Sequence, residues 1–247
     1  MKNSKMELVK KTIFLMICAF IMSLSMNAQE QPRPKNNFSV GGGFSAPLVT
    51  SDNVSGNYSS NGSNFSVNYS REIFSKNKSY WTVGLKYINT SSPYAMLNYD
   101  LTSMNLSSPS SLGEWDGTVD DFKMSAYLVG LNYNNYISKN KKLSSFLNIN
   151  IGSASLTSPS QKFSSSKGYF IEVKEVKNNN ITYSTSAGFS YNLVKNLALS
   201  VEVEYLKSSF YFENQELVFS GGGSEKVDPY TISYSALNFN AGVVLKL

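Results

Sequence analysis

From Phe38 onward, apolar and polar residues alternate with a period of two, the pattern of strands that meet an apolar medium on one face and a polar one on the other. Eight such runs can be traced. The first places Phe38, Val40, Gly42, Phe44 and Ala46 on one face, and the second Phe65, Val67, Tyr69 and Ile73 opposite Ser66, Asn68, Ser70 and Glu72. The third sets Trp81, Val83, Leu85 and Tyr87 against Thr82, Gly84 and Lys86; the fourth sets Tyr127, Val129, Leu131 and Tyr133 against Ala126, Gly130, Asn132 and Asn134. In the fifth, Leu147, Ile149 and Ile151 oppose Asn148, Asn150 and Gly152, and in the sixth the apolar face runs from Ile181 and Tyr183 to Tyr191 and Leu193. The seventh sets Leu197, Leu199, Val201, Val203 and Tyr205 against Ala198, Ser200, Glu202 and Glu204, and the eighth sets Leu237, Phe239, Ala241, Val243, Leu245 and Leu247 against Asn238, Asn240, Gly242 and Lys246. Each run has about 9–11 residues, the length with which a tilted strand crosses a bilayer.

The connections alternate in kind. Runs two and three are joined by Ser75-Lys76-Asn77-Lys78, four and five by Ser138-Lys139-Asn140-Lys141, and six and seven by Val194-Lys195-Asn196. The other connections, 47–63, 91–120, 156–180 and 208–232, are long. Short turns on one rim and long loops on the other are the organisation of a membrane barrel, whereas a soluble β-sandwich has no reason for it. The period of two fits soluble and membrane barrels equally, so other features decide. Aromatic residues flank the apolar faces: Tyr69, Trp81, Tyr133 and Tyr191 beside the short turns, and Tyr87, Tyr127, Tyr183 and Tyr205 beside the long loops. Two such sets match the interfacial girdles of a membrane barrel. The opposite faces are mostly Ser, Thr, Asn and Gly rather than the Lys and Glu that coat a soluble protein. The expected fold is all-β: a closed antiparallel up-and-down transmembrane β-barrel of about eight strands over residues 38–247.

The N-terminus reads as an address. Lys10-Lys11 precedes an apolar stretch from Ile13 to Met26, followed by Asn27-Ala28-Gln29. A basic start, a short apolar core and a small residue describe a secretory signal peptide over residues 1–28, cleaved after Ala28. Residues 29–37, with Pro32 and Pro34, read as a flexible periplasmic lead.

Composition narrows the function. The chain of 247 residues carries a formal charge of +5, of which the leader supplies Lys2, Lys5, Lys10 and Lys11 against Glu7. The mature chain is close to neutral and has no electrostatic footprint for nucleic acid. There is no histidine and one cysteine, Cys18, inside the leader. This removes the usual general base and commonest metal ligand, and excludes a disulfide framework.

These runs, the Lys-Asn turns and the final strand Val243-Val244-Leu245-Lys246-Leu247 resemble the small outer-membrane β-barrel proteins of Gram-negative bacteria, the OmpA-type and OmpX-type barrels, over residues 38–247. In that family the last strand serves the barrel-assembly machinery as a signal and ends in an aromatic residue; here it ends in Leu247, with Phe239 further back. The resemblance implies an outer-membrane location, contact with outer-membrane lipid, and passage through the assembly machinery.

Candidate chemistry is sparse. Gly41-Gly42-Gly43 lacks the Gly-Lys-Ser/Thr of a phosphate loop and reads as a strand that bends or packs closely. Glu114, Asp116, Asp120 and Asp121 cluster beside Trp115 without EF-hand spacing and read as a solvated acidic loop. Repeated Asn-x-Ser/Thr matches, as at Asn57, Asn61, Asn64, Asn68 and Asn105, reflect the abundance of Asn and Ser. Glu72, Lys86, Glu202, Glu204 and Lys246 fall on polar strand faces and are expected to form an ion network in the lumen, because an unpaired charge in so narrow a space is costly. No catalytic residue, cofactor or metal is expected. The leading reading is a structural or surface-interaction barrel presenting four long extracellular loops to an unidentified ligand or protein. A narrow porin-like channel or transport accessory, and a soluble secreted ligand-binding barrel, are the alternatives.

Overall fold

The computed structural model describes residues 35–51, 57–76, 78–96, 100 and 113–247. The expected signal peptide and most of the lead lie outside the described residues. Asn36 and Asn37, expected as lead, instead begin the first strand.

Eight strands form a closed antiparallel barrel: β1 (Asn36–Ser51), β2 (Gly62–Lys76), β3 (Ser79–Ser92), β5 (Phe122–Tyr136), β6 (Leu143–Ser158), β9 (Val176–Val194), β10 (Leu197–Phe212) and β13 (Tyr230–Lys246). The short strands β4 (Trp115–Val119), β7 (Gln161–Ser165), β8 (Phe170–Val173), β11 (Glu216–Phe219) and β12 (Ser224–Lys226) lie between them in sequence. Around the ring the order is β1-β13-β10-β9-β6-β5-β3-β2, and β1 pairs with both β13 and β2, so no edge is left open. Closure satisfies every ladder within the ring, the condition for strands in lipid. At Gly43 the backbone of β13 comes so near that a Cβ would lie 1.9 Å from the Phe239 carbonyl oxygen, which gives the glycine run its structural reason.

The barrel strands have 14 to 19 residues, well beyond the expected bilayer length. Three of the long connections are also not simple loops: their strands form a five-stranded sheet in the order β12-β11-β8-β7-β4. Register places Trp115, Val119, Phe163, Ile171, Val173 and Leu217 on one face of it, with Phe163 fully buried. The first long connection contributes an isolated bridge, Ser59 to Tyr94, among the described residues.

The extra length carries a second pattern. On β5, Tyr133, Leu131, Val129 and Tyr127 point outward and Asn134, Asn132 and Gly130 inward; from Leu128 on, the inward residues are Leu128, Ala126, Met124 and Phe122, and the outward ones beyond Tyr127 are Ser125 and Lys123. β10 repeats this. Leu199, Val201, Val203 and Tyr205 face out over Glu202 and Glu204, after which Lys207 and Ser209 face out over Leu206, Phe210 and Phe212. β13 follows, with Leu237 and Phe239 outward over Asn238 and Asn240, then Ser235 and Ser233 outward over Ala236, Tyr234 and Ile232. Toward the short turns the wall is therefore that of a membrane barrel, apolar outside and polar inside. Toward the long connections it is that of a soluble protein. Most of the large exposed apolar side chains, including Leu85 at 64% and Ile149 at 65%, lie in the first zone; Leu48, Tyr169 and Tyr211 are exposed at the other end. This polarity excludes a barrel that is soluble over its whole length.

The crossover is directly testable. Ile149→Arg places a charge in the apolar belt and should cost about 2–4 kcal/mol, whereas Ser153→Arg, on the same face and strand but level with Tyr127 at the crossover, should cost at most about 1 kcal/mol. Equilibrium unfolding in lipid vesicles measures both, and equal costs would overturn the two-zone wall.

Candidate functional site: an ion triad beneath an apolar seal

The interior of an eight-stranded barrel is just wide enough for side chains to fill. β3 and β10 sit diametrically opposite in the ring, four strands apart in either direction. Lys86 projects inward from β3 and crosses the bore to the far wall. Its Nζ lies 3.1 Å from Glu202 Oε1 and 2.8 Å from Glu204 Oε1. Glu202 and Glu204 share the inward face of β10 because they are two residues apart on a strand.

The remaining lone pairs are met by neutral donors. Ser186 Oγ donates to Glu202 Oε1 at 2.5 Å and Asn148 Nδ2 to the same oxygen at 3.3 Å, while Asn240 Nδ2 donates to Glu202 Oε2 at 3.4 Å. Asn238 Nδ2 donates to Glu204 Oε2 at 3.4 Å, and Asn238 Oδ1 accepts from Ser45 Oγ at 2.8 Å. Two carboxylates face one ammonium, so the surplus negative charge is held by amide and hydroxyl donors. Glu204 is fully buried. Burial of this kind is tolerated where every charge is paired and hydrogen-bonded.

One inward position further out, chemistry changes abruptly. Lys86 is followed by Ile88, and Glu204 by Leu206; inward of Asn238 on β13 stands Ala236. These begin a buried cluster with Val49, Leu128, Met124, Leu156, Phe210, Phe212, Ile232 and Tyr234, against which Tyr58, Tyr94 and Tyr230 pack. Tyr234 and Thr90 join by hydroxyls 2.9 Å apart. Beyond it Tyr94 donates to Asp100, and burial raises the pKa of both groups. Toward the short turns the lumen is instead a polar cavity of about 90 Å³ lined by Asn68, Thr82, Asn132, Asn148 and Asn240, with Lys86 and Glu202 as its floor. The bore is thus lined largely by polar side chains on one side of the triad and by apolar ones on the other.

The other expected lumen charges stand apart. Lys246 donates to Asn192 and pairs by register with Asn37, six residues along β13 from Asn240, about 20 Å away at the strand rise. Glu72 lies at the same end, its Oε2 buried without a hydrogen-bond partner. Both are inward-facing, but their axial height keeps them out of the triad; parity gave the face and not the depth. The eight aromatic residues expected as girdles all lie on the outer wall. Trp81 pairs with Tyr133 at 5.1 Å between centroids, and Tyr87 with Tyr127 at 5.0 Å. Tyr69, Tyr183, Tyr191 and Tyr205 are exposed. Tyr87, Tyr127 and Tyr205 stand at the polarity crossover of their strands. The acidic residues of the second connection do not converge: Asp116 accepts from the Gly117 N–H, Asp120 from Ser160 and Asp121 from Ser91. Among the described residues no group of three acidic or cysteine side chains is disposed to hold a metal ion. The apolar seal draws on Phe210, Phe212 and Ile232, which lie in the long connection expected over 208–232.

The triad predicts non-additive energetics. Lys86→Met strands two buried carboxylates and should cost about 3–5 kcal/mol, and the combination Lys86→Met/Glu202→Gln/Glu204→Gln should recover much of that loss. Unfolding midpoints of the unmodified barrel, Lys86→Met, Glu202→Gln/Glu204→Gln and the triple variant in detergent or lipid would check it; additive losses would mean that the groups act independently.

No family model matches the chain, and no curated protein sequence does. Solved structures do. The attachment invasion locus protein Ail of Yersinia pestis shares 18% identity, covering 85% of this chain and 99% of that one, with a TM-score of 0.38. The outer membrane protein OprG of Pseudomonas aeruginosa shares 14%, covering 89% and 99%, at 0.47. The outer membrane protease OmpT of Escherichia coli shares 9%, covering 87% and 94%, at 0.49. By its own closed ring, its even strand count and its apolar outer belt, this chain has the fold of a small transmembrane β-barrel of the outer-membrane type.

Proposed function

We propose that this is an exported outer-membrane protein with a structural or surface-interaction role. The membrane-spanning zone is a closed anchor, and the long-connection end, with its five-stranded sheet, is the part offered to the outside. One observation carries the reading: an apolar core fills the bore directly above the ion triad. Water and ions that enter from the short-turn side meet a barrier of buried apolar side chains. A sealed barrel of this kind favours anchoring and display over the porin-like alternative. The short Lys-Asn turns then face the periplasm, as short turns do in such barrels. Outer-membrane lipid surrounds the wall, the assembly machinery inserts it, and the partner at the outer end is an extracellular ligand or protein. No reaction is assigned, since the chain has no histidine; the proposed role is not enzymatic.

Two measurements test this. Epitope tags at the open turns Gly168 and Gly222 should be labelled on intact cells, and a tag at Asn140 should not. Labelling at Asn140 alone would reverse the orientation. In planar bilayers the unmodified barrel should show no steady conductance, whereas Leu206→Ser/Phe210→Ser, which wets the seal, should give measurable current. A large steady current before mutation would overturn the sealed reading.

A further inference from the structure

Charge is segregated along the barrel axis. At the short-turn end Lys76 and Lys78 flank the β2–β3 turn, Lys139, Lys141 and Lys142 occupy the β5–β6 turn, and Lys195 the β9–β10 turn. Lys35 and Arg71 stand beside them where β1 meets β2. Glu72 is the acidic residue at this end. Every other acidic side chain among the described residues, apart from Glu202 and Glu204 in the lumen, lies at the long-connection end. Among the described residues, ion pairs join Lys86 to the two lumen glutamates and Lys174 to Glu216, so none involves the short-turn rim.

The position of these cations is as informative as their sign. They stand just past the exposed apolar belt, beyond Ile73, Phe74, Trp81, Ile137 and Tyr191. Apolar stems of lysine lie along such a belt while the ammonium reaches headgroup level. A rim that merely needed solvation would mix its signs, as the opposite end does. A one-sign ring repels itself, and a nearby anionic surface relieves that repulsion. We infer that the short-turn rim is a binding surface for the headgroups of anionic phospholipid in the adjoining leaflet. This rests on the membrane-barrel reading. The attraction belongs to the fixed ring of lysines and falls off within a Debye length, about 8 Å at physiological ionic strength.

The test uses the full barrel reconstituted in symmetric phosphatidylcholine vesicles, so that orientation does not matter. Spin-labelled phosphatidylglycerol and phosphatidylcholine report relative association with the protein. At low salt we expect phosphatidylglycerol to be preferred by about three- to fivefold, the preference collapsing in about 1 M NaCl. The variant Lys76→Gln/Lys78→Gln/Lys139→Gln/Lys141→Gln/Lys142→Gln/Lys195→Gln should fall to parity. The control Lys162→Gln/Lys167→Gln/Lys226→Gln, at the other end, should keep the preference. Equal association of the two lipids, or equal loss in the control, overturns the proposal. Salt-sensitive capture of soluble polyglutamate without any lipid preference also overturns it and assigns the rim to an acidic macromolecule. Failure of the unmodified chain to insert removes the membrane reading itself, whereas insertion without preference removes the lipid proposal alone.

Discussion

Closure of eight strands into one ring is the constraint on which the rest depends. Once β1 pairs with β13, every strand has two neighbours, and each side chain must face either the bore or the surroundings. The ring then runs through two media. In the zone of Val83, Leu131, Ile149, Val201 and Val243 the outside is apolar and the inside carries Ser, Thr, Asn and the ion triad. Beyond Tyr87, Tyr127 and Tyr205 the same strands continue without a break, and the preference of each face reverses. The backbone does not register the change. Only the side-chain alternation does, so a single continuous fold is both membrane anchor and water-exposed stem.

The reversal explains why the charged triad sits where it does. A buried ammonium and two carboxylates need partners on all sides, and a dry medium strengthens their attraction as much as it raises the cost of leaving one unpaired. Ile88 and Leu206 exclude water from one side, while Asn148, Ser186, Asn238 and Asn240 donate on the other. Moved two residues outward, the same charges would lie in the apolar core without donors. Moved toward the short turns, they would be solvated and would no longer bridge the bore. The triad marks the boundary between the wet and dry halves of the lumen and links opposite walls across it.

Much of this was legible in the sequence, and the limit has a physical origin. A period of two assigns faces, so the outward positions of Leu131 and Val201 and the inward ones of Lys86, Glu202 and Glu204 follow from parity alone. It does not assign height along the axis, so Glu72 and Lys246 share the inward parity of the triad but lie at the mouth. Parity also fails to say which face is wet; that is fixed by the medium, and the medium changes along the strand. Phe210-Tyr211-Phe212 alternates as regularly as Val201-Glu202-Val203, but with apolar residues on both parities it does not stand out as strand. The sheet formed by β4, β7, β8, β11 and β12 was hidden for a related reason. Its strands have three to five residues, too short for a period to register, and they pair across different connections.

Net charge hides as much as it states. A mature chain close to neutral looks electrostatically bland, but the sum conceals a basic rim and an acidic crown held apart by an uncharged belt. That separation follows from the same constraint as the lumen. Lipid excludes charge from the outer wall, and the narrow bore admits only charges that can be paired, so the remaining ionisable residues collect at the two ends. Their distribution between the ends is not dictated by closure, since lysine and glutamate are equally soluble in either compartment. A sign that is uniform on one rim but for Glu72, and mixed with an acidic excess on the other, is therefore information about surroundings rather than about folding. It is the part of this molecule's surface that the fold leaves free to be chosen by what lies next to it.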